Sequence, residues 1–146
     1  MEIDDISAQV IDACIAIHRE LGPGLLESVY EIVLAGELEL RGLKVDRQVP
    51  VDIEFRGRHH LGAFRVDLLV EDCLVLEIKS VEQLNKSHAK QVLTYLRLMK
   101  QPVGLLLNFA GATMKEGIRR IVNQHRQPQA PSASPRLRVI KNSGEA

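Results

Sequence analysis

Residues 62–80 read GAFRVDLLVEDCLVLEIKS, and the way this stretch folds back on itself decides the architecture. Two runs, 62–70 and 73–79, alternate in polarity and are separated by Glu71-Asp72. Period-two patterning bounded by turn residues marks the two strands of a hairpin. Two registers compete. A two-residue turn at Glu71-Asp72 sets Val70 opposite Cys73 and Asp67 opposite Leu76, with Asp67 and Glu77 on different faces. A three-residue connection, 71–73, sets Val70 opposite Leu74. Val66, Leu68 and Val70 then meet Ile78, Leu76 and Leu74, and one face is wholly aliphatic. A one-residue slip moves every side chain to the other face, so burial selects the second register. In it Asp67 stands opposite Glu77, and Lys79 shares their face.

Directly opposed carboxylates repel each other. Lys79 offsets part of that cost, and a divalent cation would offset more. Mg²⁺ is usually held by one or two carboxylates plus water and substrate phosphate. An Asp, a Glu and a Lys beside such an ion make a hydrolytic centre. The acids place the ion, the ion acidifies water, and the Lys orients that water or stabilises developing charge. The ordinary alternative is a solvated face with an ion pair.

Two further stretches bear on the choice. GLLESVY (24–30) puts Glu27 at the start of a helix, where acids complement the dipole, and Tyr30 one turn later. HAKQVLTYL (88–96) spaces His88, Gln91 and Tyr95 along one polar helix stripe, separate from the aliphatic one. That stripe is either an exposed face or a set of ligand contacts leaning over the acids.

The rest of the chain supplies the surroundings. Ile6, Val10, Cys14, Ile17 and Leu21 recur at helical spacing over 5–20, and Gly22-Pro23-Gly24 breaks the run. A second helix spans about 26–41, with Leu26, Val29, Tyr30, Val33, Leu34 and Leu38 inward and Gly42 as its cap. Val49, Val51, Ile53 and Phe55 alternate as a strand, and RGRHH (56–60) is a hairpin tip. A helix follows over about 81–100, with Leu84, Val92, Leu96 and Met99 inward. VGLLLNF (103–109) is a strand buried on both faces, and MKEGIRRIVNQ (114–124) reads as a short final helix. The helix between the third and fourth strands predicts a right-handed crossover, which makes those strands parallel. Residues 1–126 form one domain on this reading. Residues 127–146, rich in Pro, Ser and Ala, read as a disordered tail.

Composition narrows the function. The 146 residues are 45% apolar, enough for a real core, and Trp is absent. No apolar run approaches the roughly 20 residues of a membrane span, and the acidic start MEIDDISAQV does not resemble a signal peptide. The expectation is a cytoplasmic protein with no membrane partner. Cys14 and Cys73 sit in apolar patterns without metal-ligand spacing and read as free thiols. Formal net charge is zero, with +2 in residues 127–146 and −2 in the rest. Bulk electrostatics would not hold nucleic acid, so local patches or a bound cation must. Arg56, Arg58, Arg65 and Arg97 are candidates for phosphate contacts, with solvated arginine as the ordinary reading. His59 and His60 point to opposite faces of a strand and do not chelate together. No phosphate-binding loop, dinucleotide fingerprint or zinc spacing is present.

Gly24-x-x-Glu27-x-x-Tyr30 resembles the signature of the GxxExxY proteins. FRVDLLV, LVLEIKS, HAKQVLTYL and GLLLNF are similar to that family's later blocks, in the same order, so the resemblance covers about residues 5–123. The family is grouped with the PD-(D/E)XK nuclease-like superfamily. The resemblance implies an α/β, restriction-endonuclease-like core of order α-β-β-β-α-β, with a mixed four-stranded sheet flanked by helices and here an extra N-terminal helix. It implies that Asp67 is the superfamily acid and Glu77-Ile78-Lys79 the (D/E)-x-K element. The residue before Asp67 is Val66, where the superfamily pattern has Pro. Glu27 matches the helix glutamate of many members, and Gln91 and Tyr95 match a Gln-x-x-x-Tyr element. The metal set is then Glu27, Asp67, Glu77 and the Ile78 carbonyl, with Lys79 catalytic. Gln91, Tyr95, His88 and Tyr30 are the substrate-positioning set, and His18 is a further candidate.

Three functions follow. The leading one is a Mg²⁺- or Mn²⁺-dependent phosphodiesterase acting on DNA or RNA. The second is a non-catalytic binding module on the same fold. The third is a hydrolase of a small phosphoester. A homodimer is compatible with the sequence, and nothing in it requires one.

Overall fold

Two helices open the chain in the computed structural model, which describes residues 1–124. The expected tail at 127–146 and the domain boundary at 126 lie outside the described residues. Helix α1 spans Ile3–Leu21, with Asp4 and Asp5 in its first turn and His18 and Arg19 in its last, as the dipole favours. Ile6, Val10, Cys14 and Ile17 are buried on one face. Helix α2 spans Glu27–Leu40 and is turned differently from its apolar pattern. It buries Tyr30, Glu31, Leu34, Ala35 and Leu38, while Leu26 is 72% exposed and Val29 is exposed too. The rotation brings Glu31 to the sheet, where Arg47 Nε donates to it at 3.2 Å and Gln48 Nε2 at 2.7 Å. The two donors satisfy the carboxylate that the rotation buries.

Strands β1 (Val45–Phe55), β2 (Arg58–Val70) and β3 (Leu74–Lys79) form the expected antiparallel meander. Helix α3 (Lys86–Met99) then crosses over to β4 (Val103–Asn108), which pairs parallel to β3. The expected final helix is instead a single 3₁₀ turn, Lys115–Gly117, followed by strand β5 (Ile118–Val122) antiparallel to β4. Ile118, Ile121 and Val122 fit either period over so short a segment, but they are β-branched, and β4 offered an unpaired edge. The sheet is therefore mixed and five-stranded, in the order β1-β2-β3-β4-β5, with helices on both faces. The class is the expected α/β, restriction-endonuclease-like one with an extra N-terminal helix; the fifth strand is an addition to the expected four.

Two cores result. Leu68, Val70, Leu74, Leu76, Ile78, Leu105 and Leu107 pack on α1 and α2. Val51, Val66, Leu69, Val75 and Leu106 pack on α3. Helix α3 begins later than the expected 81, leaving Leu84 just before it, because Asn85 caps it. The Asn85 carboxamide oxygen accepts from the Ser87 and His88 backbone N–H groups.

Candidate active site

The β2–β3 hairpin has the three-residue connection, with Val70 opposite Leu74, Leu69 opposite Val75 and Leu68 opposite Leu76. Glu71 and Asp72 take up the turn in left-handed conformation. Beyond Leu68 and Leu76 the backbone ladder stops, and two carboxylates take its place. Asp67 Oδ2 accepts from the Ile78 N–H at 2.8 Å, and Glu77 Oε1 accepts from the Asp67 N–H at 3.1 Å. Each acid thus holds the opposite strand, and the two are fixed side by side.

Val66 does not join Leu68 on the α1–α2 side, as strict alternation requires; it packs in the α3 core. The same happens on β1, where Val45 packs with α1 and α2 but Val49 and Val51 pack with α3. Both strands therefore turn over between these residues, at Gln48 and Asp67. Gln48 carries the conformational cost, with a left-handed φ of 50°. Its side-chain amide reaches both Glu31 Oε1, at 2.7 Å, and Asp67 Oδ1, at 3.3 Å. The inversion places Asp67 at the junction of the two faces.

Glu77 is 6% exposed. Burial pushes its carboxyl up from 4.5 to about 7, and the Asp67 charge adds to the rise, while Lys79 opposes it and Glu27 reinforces it. Asp67 is also raised, by burial first and by the Glu31 charge, against the Ile78 N–H and Lys79. Lys79 is thus electrostatically engaged with both acids. Tyr95 faces them from α3. Burial and the charges of Glu77 and Asp67 raise its phenol, and Gln91 hydrogen-bonds to it. Its ring stacks on Phe64 with centroids 4.2 Å apart. The Gln91–Tyr95 stripe leans over the acids.

Glu27 approaches from the start of α2, exposed, and accepts from the Ser80 N–H at 2.9 Å, one residue past Lys79. Its position depends on the 22–26 loop. The Tyr30 hydroxyl donates to the Gly22 carbonyl and accepts from the Leu25 N–H. The Tyr30 ring is buried and stacked on Phe109. Gly24, at φ 106°, supplies a backbone turn that L side chains rarely adopt. Tyr30 therefore braces the loop that carries Glu27, inside the core and away from any ligand surface. A groove of about 810 Å³ opens beside this loop, lined by Pro23, Leu25, Glu27, Ser28, Ser80 and Glu82 among others.

His88 is likewise placed in a structural contact. Its Nδ1 accepts from the Asn85 N–H at 3.0 Å and completes the α3 cap. His18 Nε2 lies 2.9 Å from the Gly111 carbonyl, tying α1 to the loop after β4. Three polar residues of the site were not singled out from the sequence. Glu31 sits one turn after Glu27 on the same helix, and that spacing of four was its signal. Gln48 gave none. Asn108, buried at the end of β4, accepts from the Val81 N–H and donates to the Val81 carbonyl, which fixes the chain as it leaves Lys79.

The donors suit a hard divalent ion that keeps its waters. Among the described residues no three acids or histidines cluster as a ready cage. Two adjacent carboxylates, both raised by burial and by neighbouring charge, do offer what a cation would relieve. No helix among the described residues is long and apolar enough to cross a membrane. No curated protein and no solved structure matches the chain. A family profile matches residues 4–121 and spans both acids, Lys79, Gln91 and Tyr95, so the chain belongs to the PD-(D/E)XK nuclease superfamily.

Proposed function

We propose that the protein is a Mg²⁺- or Mn²⁺-dependent nuclease of the GxxExxY type, hydrolysing phosphodiester bonds in DNA or RNA. The observation that carries this reading is the Asp67–Glu77 pair, two carboxyls fixed side by side across a split in the sheet, both pushed up by burial and by neighbouring charge. Asp67, Glu77 and the Ile78 carbonyl would hold the ion, with Glu27 joining directly or through water. When bound, the ion supplies Lewis acidity and acidifies water. Lys79, beside both acids, orients the attacking water and stabilises the charge that develops on the phosphate. Gln91 and Tyr95 position the substrate or the waters from above. Tyr30 and His88 act at one remove, through the loop of Glu27 and the start of α3.

Calorimetric titration with Mg²⁺ or Mn²⁺, paired with cleavage of mixed DNA and RNA, tests this reading. Asp67→Asn and Glu77→Gln should lose both metal binding and cleavage. Folded wild type that binds neither metal would overturn it. Metal binding without cleavage of any nucleic acid would favour a small phosphoester, for which the 810 Å³ groove beside Glu27 is the natural place.

A further inference from the structure

The chain has five aromatic side chains, three Phe and two Tyr, and no Trp. Four of them form two stacked pairs, Tyr30 on Phe109 and Phe64 on Tyr95. The fifth, Phe55, is 61% exposed at the tip of the β1–β2 hairpin. The Arg56 guanidinium lies over its ring, 5.2 Å from the centroid. The tip is rigid. Arg56 and Gly57 both have positive φ, 51° and 81°, the conformation of a tight two-residue turn matched to strand twist. Below it Phe55 pairs with Arg58 and Ile53 with His60. The hairpin then bulges at 61–63, where Asp52 accepts from the Gly62 N–H at 2.6 Å and Leu61 stands 79% exposed.

The side on which these groups lie matters. After the inversion at Gln48, Val49 and Val51 face α3. Ile53 and Phe55 share the strand parity of Val51, and their partners His60 and Arg58 that of Phe64, with the bulge between. Asp52 and Glu54 have the opposite parity. That parity holds Phe55, Arg58 and His60 with no acid among them, then Phe64 stacked on Tyr95. Gln48, level with Asp67, is seven residues from Phe55, roughly 23 Å of strand. The hairpin therefore strings aromatic and basic residues of one parity between an exposed ring and the strand segment that holds Asp67. Residues 56–65 as a whole hold three Arg and two His and no acid.

We propose that the β1–β2 hairpin is an arm that guides a single-stranded nucleic acid into the site, with Phe55 as a stacking platform for an unpaired base and Arg56 and Arg58 as phosphate contacts. The inference rests on the nuclease reading for its destination but not for its own surface. A base π-face stacks on an exposed ring whatever its sequence, and guanidinium groups track the backbone. Duplex DNA offers no free base face to a ring on a narrow ribbon, which selects an unpaired strand. At 61% exposure the Phe55 ring contributes little packing that would explain it.

The test uses the full chain in EDTA at low salt, with fluorescein-labelled 12-mers of mixed sequence: single-stranded DNA, single-stranded RNA and duplex DNA. Binding is read by anisotropy. Phe55→Ala, an exposed substitution, should weaken single-strand binding about tenfold or more and leave duplex binding within about twofold. Phe55→Trp should restore it. The chain has no other indole, so quenching of that fluorescence on binding reports stacking directly. Three results overturn the arm: single-strand binding indifferent to Phe55→Ala, equal loss for duplex, or no single-strand binding by wild type. Wild-type cleavage with metal, unaffected by Phe55→Ala at limiting substrate, would sink the arm and leave the nuclease. Stacking at Phe55 with no cleavage under any metal would keep the arm and sink the nuclease.

Discussion

Glu77 is the residue whose environment says most. Its carboxyl is buried, faces Asp67 and titrates near 7 instead of 4.5. The unfolded chain releases that proton at the ordinary value, so between about pH 4.5 and about pH 7 the folded state binds more protons than the unfolded one. Stability therefore falls as pH rises through that window and levels off above it, by roughly 3 kcal/mol for a shift of this size. Glu77→Gln cannot ionise, and its amide oxygen still accepts from the Asp67 N–H. Urea unfolding in EDTA at steps from pH 4.5 to 8 should show the decline in wild type and a flatter curve in the variant. The variant should be the more stable of the two at pH 8. Parallel curves would mean that the Glu77 proton is not the one being released. Lys79 opposes the shift but does not cancel it, which is why a cation has something to gain at this position.

At the scale of elements, the hairpin register was legible because one apolar face had to be kept whole. Val70 opposite Leu74 follows from that demand alone. The inversion two residues earlier was not legible. Val66 and Leu68 have the same parity and the same chemistry, and only the packing shows that one faces α3 and the other α1 and α2. The order of helices and strands was readable from period changes as far as β4. It failed at β5, where five apolar or basic residues fit either period. Of the candidate residues, Asp67, Glu77, Lys79, Gln91 and Tyr95 converge on one place, whereas Tyr30 and His88 are held in backbone contacts that support it. The inversion makes its own prediction. Gln48 sits at a left-handed φ, so Gly suits its backbone better than Ala, against the usual order in strands. Both variants lose the amide that bridges Glu31 and Asp67. Gln48→Gly should therefore be more stable than Gln48→Ala by about 1 kcal/mol in denaturant titration. The reverse order would mean that β1 does not turn over at this residue.

The whole molecule joins three elements at one point. Helix α2 brings Glu27 and Glu31, strand β2 brings Asp67, and strand β3 brings Glu77 and Lys79. Each of these acids is tied to backbone or side chain of a neighbouring element. The unfolded chain has no such convergence, so an ion that binds here binds the folded state alone and stabilises it by mass action. With a dissociation constant on the order of 1 mM, 10 mM Mg²⁺ adds about 1.4 kcal/mol, a rise in Tm of roughly 3–6 °C for a domain of this size. The proton on Glu77 competes with the ion. The rise should accordingly be small at pH 5.5 and full at pH 8, and it should disappear in Asp67→Asn. Glu27→Gln separates two forms of the site. A reduced rise places Glu27 in the ion's coordination or its water shell. An undiminished one leaves the ion to the β2–β3 acids, with Glu27 serving to latch α2 to Ser80. Differential scanning calorimetry at the two pH values reads all of these. Identical melting with and without Mg²⁺ or Mn²⁺ at pH 8 would take the ion out of this site, and the carboxylate pair would then need a protein or substrate cation to balance it.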